Sequence, residues 1–246
     1  MKERGALAYT LSFFVVALII ALGVSALGLG FTSYLRSSES GAVPTLVENS
    51  KPTFVIDPGH GGEDPGAVAI DGTLEKDINL EISKLIFALC ELNGNKAILT
   101  RNTDTLLYDY YDELEDYTGK KKVYDLKNRL KITEEQQNPI YVGIHLNKFQ
   151  ESKYDGLQVY YSSKIDESYS LATSISKRVK ENLQLENKRK PKVANSSIFI
   201  LDKLEGVGVL VECGFMSNEK ELENLKNEEY RAKLALCIFS SLIEQN

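Results

Sequence analysis

Phe54-Val-Ile-Asp57-Pro-Gly59-His60-Gly-Gly62 is the stretch on which the fold turns, and Glu75 follows it thirteen residues later. Three apolar residues of high strand propensity run into Asp, Pro and three glycines, so a strand must stop there and leave His60 at its end. The chain has two histidines, and the second is placed in the same way. His145 ends the apolar run Ile140-Tyr-Val-Gly-Ile144. Ligands of open α/β sheets bind outside the carboxyl ends of strands, so two imidazoles at two such ends imply one shared site.

Working outward, the periodicities alternate between strand and helix. Thr53–Ile56 is expected as the first strand. Ile78, Ile82, Leu85, Leu89 and Leu92 recur at helical spacing and stop at Asn93-Gly94, which puts Glu75 in the first turn of a helix. Ala97–Thr100 is the expected second strand, and strand-helix-strand order implies a parallel crossover. Val123–Gln137 reads as a helix closed by Asn138-Pro139. A strand then leads to His145, a strand or hairpin covers Leu157–Tyr161, and a helix spans Glu167–Leu185. Ser197–Leu201 and Val207–Val211 are expected strands, the latter running into Glu212, and Glu228–Glu244 closes the chain as a helix. The expected fold is a single three-layer α/β domain with a mostly parallel twisted sheet of about six strands flanked by helices. Residues 104–122 interrupt this pattern with six acidic residues and four tyrosines. They read as a surface insertion, either solvated or forming a rim that meets substrate or a partner.

Composition narrows the classes. With 43% apolar and 26% charged residues, the chain is ordinary globular material over about 200 residues. A net charge of −6 and the lack of a basic face exclude nucleic-acid binding as an expectation; Lys188-Arg-Lys190 reads as a solvated loop. Cys90, Cys213 and Cys237 sit in apolar patterns without CxxC spacing and are expected as buried thiols. Residues 5–35 hold no charge, and 6–31 are nearly all apolar or small. About 20 such residues span a bilayer, and Lys2 and Arg4 keep the short end in the cytoplasm, so the chain beyond residue 36 is expected outside. Residues 1–35 thus read as a membrane anchor or signal, since Val24-Ser25-Ala26 offers a cleavage site for secretion instead. Residues 36–51 read as a linker, and 52–246 as the catalytic domain.

His60, Glu75, His145 and Glu212 all fall on one expected edge of the sheet. Two imidazoles and a carboxylate make a zinc set with an open fourth position, and Glu212, after the apolar run Val207–Val211, suits a general base. The glycines at 59, 61 and 62 would let a bulky ligand approach His60 without side-chain clashes.

Five blocks then carry a resemblance. Ile56-Asp-Pro-Gly-His60-Gly-Gly, Leu74-Glu75-Lys-Asp-Ile-Asn-Leu80, Thr100-Arg101-Asn-Thr-Asp104, Gly143-Ile-His145-Leu-Asn147 and Leu210-Val-Glu212-Cys-Gly-Phe-Met-Ser-Asn218 resemble, in order, the motifs of zinc-dependent N-acetylmuramoyl-L-alanine amidases of the Amidase_3 type. The resemblance runs from about Lys51 to the C-terminus. It implies His60, Glu75 and His145 as ligands of Zn2+, Glu212 as the catalytic glutamate, and peptidoglycan as substrate. Arg101 and Asn147 match the family in supporting positions. The single anchored domain is similar to the germination-specific amidases of spore formers, which implies a role in sporulation or germination. The acidic insertion and Met216, where leucine is commoner, depart from the pattern. Two other readings keep the same residues: a metal-independent glycoside hydrolase using Glu75 and Glu212, and a non-catalytic wall-binding protein. An activator protein acting through 104–122 is a further expectation.

Overall fold

The computed structural model of the protein describes residues 51–244. Twelve elements follow one another in these residues: β1 (Thr53–Pro58), α1 (Glu75–Leu92), β2 (Ala97–Leu99), α2 (Lys121–Glu134), β3 (Pro139–Asn147), β4 (Gln158–Tyr161), α3 (Asp166–Asn182), β5 (Lys192–Val193), α4 (Phe199–Lys203), β6 (Val207–Phe215), α5 (Glu219–Lys226) and α6 (Glu228–Ile243). The six strands form one sheet in the order β2-β1-β3-β6-β4-β5. β2, β1, β3 and β6 are mutually parallel, while β4 pairs antiparallel to β6 and carries β5 with it, so the sheet is mixed.

β1 lies between β2 and β3, and Phe54, Val55 and Ile56 have no exposed surface. A strand buried on both faces reads as a continuous apolar run, which is what Phe54-Val-Ile is. The chain leaves β1 through α1 to β2 on one side and returns through α2 to β3 on the other. The strand order reverses between β1 and β3, and ligands of such sheets bind outside the carboxyl ends at that point. One face of the sheet packs against α1, α3 and α6 through Ile82, Ile86, Ile175, Val179, Leu234 and Ile238. The other packs against α2 and α4 around Val55, Tyr141 and Leu201.

The buried line of α1 runs Ile78, Ile82, Ile86 and Cys90, and Leu92 is exposed. All three cysteines are buried free thiols, as expected. Ser197–Leu201 is not a strand. Asn195 accepts from the Ser197 amide through its side chain and from the Ile198 amide through its carbonyl, starting a turn that becomes α4. Ile200 and Leu201 then bury against the sheet face. β5 and α5 went unassigned in the sequence: β5 is two exposed residues, and α5 opens on Asn218, whose side chain accepts from the Glu221 amide. Segment 104–122 is not a loose insertion. Leu106, Leu107 and Tyr117 are buried. Asp125 accepts from the Leu107 amide, and Asn128 donates to the Leu107 carbonyl.

Among the described residues no helix is long and apolar enough to cross a membrane. The span expected over 6–31, and the linker up to residue 50, lie outside them.

At the carboxyl end of β1 lies a buried ion pair. Arg129 on α2 donates to Asp57 at 2.6 Å and to Asp125 at 2.8 Å, and both partners of the Asp57 pair are sealed from solvent. Tyr141 and Thr100 also donate to Asp57. Burial alone would raise the Asp57 pKa, but the Arg129 charge and these hydrogen bonds outweigh it and hold the group below its ordinary 3.8. Folded Asp57 therefore binds a proton less readily than unfolded Asp57, so its contribution is complete above about pH 4 and is lost as pH falls through the folded pKa. Asp57→Ala leaves the buried Arg129 without one of its two carboxylate partners and is expected to cost about 3–5 kcal/mol. Thermal melts should show a Tm loss of roughly 10 °C or more at pH 7, and the difference from the parent should shrink as pH falls below about 4.

Candidate metal centre and active site

The loop after β1 is shaped by the two buried arginines. Arg129 donates to the carbonyls of Pro58 and His60 at 2.8 and 2.7 Å. Arg101, from the segment after β2, donates to Pro58, Gly59, Lys76 and Thr103 carbonyls at 2.9–3.0 Å. Burial and the neighbouring Arg129 charge lower Arg101 to about 10. Turning at His60 with φ of 62° places a non-glycine residue in the left-handed region, at a cost of about 1–2 kcal/mol. The Arg129 bond to its carbonyl holds it there.

The loop then returns to α1. The Ala67 and Pro65 carbonyls accept from the Glu75 and Lys76 amides, satisfying donors that a helix start leaves open. This delivers Glu75, almost fully buried, beneath the loop that carries His60. His145 and Glu212 stand directly opposite each other in the β3/β6 register.

The four predicted residues meet. His60 Nε2 lies 3.3 Å from Glu75 Oε1, and His145 Nδ1 lies 3.2 Å from the same oxygen. One ligand atom from each of His60, Glu75 and His145 falls within 4.8 Å of the others. The rings stand edge to face at 75° with centroids 5.1 Å apart, which aims two nitrogens at one point instead of stacking them. Separations near 3.3 Å suit three donors at bonds of about 2 Å around one ion, and a His-Glu-His set is chemistry that zinc accepts.

Support comes from groups that the sequence did not mark. Asp64 Oδ2 lies 3.0 Å from His60 Nδ1, leaving Nε2 for the centre, the usual arrangement of a metal-binding histidine. Glu75 also accepts from the Leu146 and Ala67 amides and from Asn79. Burial works against a charged Glu75, but hydrogen bonds and charge from His145 and His60 hold its pKa far below the ordinary range. Burial likewise opposes an imidazolium at His60, while Glu75 and Asp64 outweigh it and raise its pKa. The one early signal for Asp64 was an acid four residues beyond His60.

The glycines are required by the protein's own packing. A Cβ on Gly59 would sit 2.2 Å from His145 Cε1, and one on Gly61 would sit 2.1 Å from the Thr105 carbonyl oxygen. Gly66, with φ of +67°, has the Glu75 carboxylate and the His60 ring within 2.7 Å of where its Cβ would be.

Glu212 is different from Glu75. Its Oε2 is sealed from solvent and has no hydrogen-bond partner among the described residues. Burial raises its pKa to about 7, with the Glu75 charge adding to the rise and the two histidines opposing it. Arg101 clamps the loop, as expected of a supporting residue. The Asn147 carbonyl accepts from Met216 and its side chain from the Lys148 amide.

A His-Glu-His trio beside an unpartnered carboxylate, at the strand-order reversal of an α/β sheet, defines a candidate metallohydrolase. The family of N-acetylmuramoyl-L-alanine amidases, Amidase_3, matches residues 54–244, and the chain belongs to it. A germination-specific N-acetylmuramoyl-L-alanine amidase of Bacillus subtilis is 30% identical over 210 residues, covering 85% of this chain and 86% of that protein. The CwlD amidase of Clostridioides difficile, solved in complex with the GerS lipoprotein, superposes with a TM-score of 0.73 at 38% identity, over 79% of this chain and 98% of that one. AmiC2 of Nostoc punctiforme, also an N-acetylmuramoyl-L-alanine amidase, gives 0.64 at 30% identity over 78% and 96%. The protein is thus an N-acetylmuramoyl-L-alanine amidase, cleaving the bond between N-acetylmuramic acid and L-alanine in peptidoglycan.

Removing the brace behind His60 should weaken metal binding more than it weakens the fold. For Asp64→Ala, competition with a chelating dye is expected to show metal affinity about 10- to 100-fold lower.

Proposed function

We propose that the amidase is a zinc enzyme in which His60, Glu75 and His145 hold the ion and Glu212 is the general base. The observation that carries this reading is the contrast between the two glutamates. Both Glu75 oxygens are engaged by histidines and amides, whereas Glu212 Oε2, at the sheet edge opposite His145, is held dry and unpaired. A carboxylate kept this way is available to take a proton. The same contrast argues against a glycosidase pair, since both Glu75 oxygens are engaged by histidines and amides and neither is free to act as nucleophile or base.

The ion, when bound, supplies Lewis acidity that makes water nucleophilic near neutral pH and polarises the scissile carbonyl. Glu212 accepts the proton of the attacking water at Oε2 and returns it to the L-alanine nitrogen as the amide bond breaks. With its pKa raised to about 7 by burial, Glu212 can both take up and give back a proton near neutral pH. Glu75 and Asp64 fix both sides of His60, so the ligand set is in place before substrate arrives.

In the cell, this reading places the enzyme outside the cytoplasm, tethered by the apolar segment 6–31 or released after cleavage near residue 26. Likeness to a germination-specific amidase supports action on spore-cortex peptidoglycan. The complex of CwlD with a lipoprotein supports an accessory protein for this chain too.

Glu212→Gln should lower the release of L-alanine amino termini from peptidoglycan by about 10²–10⁴-fold while one zinc per chain is retained. Chelation should abolish activity, and zinc should restore it. Retained activity after full metal removal would sink the proposal.

A further inference from the structure

The basic trio Lys188-Arg189-Lys190 takes no part in the chemistry above, yet it is tied to the edge of the site. Gln158 Nε2 donates to the Lys190 carbonyl at 2.7 Å, and Gln158 is the β4 residue opposite Glu212 in the β4/β6 register. Arg189 Cζ lies 4.6 Å from the ring centroid of Phe215, three residues beyond Glu212 on β6. Its Nε donates to the Asp155 carbonyl at 2.7 Å. Ring and carbonyl together orient the guanidinium while using one of its five donors. Its terminal nitrogens have no hydrogen bond or ion pair among the described residues. Glu221, whose carboxylate is within reach of the Arg189 charge, already accepts from the Gly156 and Phe215 amides.

Phe215 is itself buried and backs a small aromatic ledge of Phe149 and Tyr154; the three centroids are 5.1–6.3 Å apart, and Phe149 is 54% exposed. Asn147 pairs with Phe215 in the β3/β6 register, so the ledge continues from the two strands that carry His145 and Glu212. The Tyr160 hydroxyl feels both flanking charges: burial and Glu212 push its pKa up, and Arg189 pulls it down. A stem peptide carries free carboxylates within a residue or two of the bond to be cut. An acidic enzyme with a buried base repels such a substrate unless a cation meets it, and an oriented guanidinium fits a carboxylate in bidentate fashion.

We infer that Arg189 is a specificity-determining residue that binds a free carboxylate of the stem peptide while the ledge supports the peptide's apolar surface. The inference rests on the amidase reading and on Glu212 as its base.

Binding to the zinc-loaded, full-length Glu212→Gln protein tests it without turnover. The probes are muropeptides differing only in whether the glutamyl or the diaminopimelyl carboxylate is free or amidated. Arg189→Gln should weaken binding of the free-acid probe about tenfold and of one amidated probe less than about twofold, which also says which carboxylate is read. Arg189→Lys should recover part of the loss, because it keeps the charge and loses the fork. Equal loss on every probe, or none, would overturn the assignment. Discrimination in binding combined with an unaltered enzyme that releases no L-alanine amino termini would instead count against the amidase reading alone.

Discussion

Everything at the carboxyl edge of the sheet depends on a charge pair that solvent does not reach. Arg129 neutralises Asp57 at the end of β1, and the same guanidinium takes the Pro58 and His60 carbonyls. A tight loop would otherwise bury acceptors without donors, each costing about 1–3 kcal/mol. Arg101 does the same for Gly59 from the opposite side. The pair thereby converts a glycine-rich turn into a rigid shelf and holds His60 in a conformation it would not choose. Such buried pairs are poor sources of net stability, and the use here is positional.

The reversal of strand order supplies the second half of the site. Because β3 lies beside β1, His145 comes up next to the His60 loop; because β6 lies beside β3, Glu212 comes up next to His145. Glu75 enters from below on α1, whose first amides are tied to the returning loop. The His60 loop, α1, β3 and β6 thus converge on one site, and the carboxylate oxygen there that stays unpaired belongs to Glu212. A carboxylate oxygen sealed and unpaired next to a charged cluster is costly, and its retention fits a site organised for proton transfer and not for stability.

Segment 104–122 follows its composition in part: its six acids are exposed, whereas Leu106, Leu107 and Tyr117 are buried. Its acids and tyrosines suggest solvent, yet Asp104 accepts from the Gly62 amide at 2.7 Å and from Lys76 at 2.6 Å, and so braces the shelf. Tyr117 packs edge to face between Tyr108 and Tyr124. Charge alone did not distinguish Asp104, which braces the shelf, from the solvated acids that follow it. The same holds for the Lys188–Lys190 trio, which only the β4/β6 register puts beside the site.

The sequence by itself determined the alternation of strands and helices, the two histidines at strand ends, Glu75 at a helix start and Glu212 after an apolar run. These are local properties: periodicity, turn chemistry and the rarity of histidine. It misjudged Ser197–Leu201, where strand propensity lost to an Asn195 turn and to burial on the helical layer. Tertiary structure alone decided that Asp57 pairs with Arg129 across 72 positions, that Asp64 backs His60, that the glycines make room for His145 and Thr105, and that one glutamate is saturated while the other is bare. Those outcomes depend on distances between residues remote in the chain, and no pattern along the chain encodes a distance.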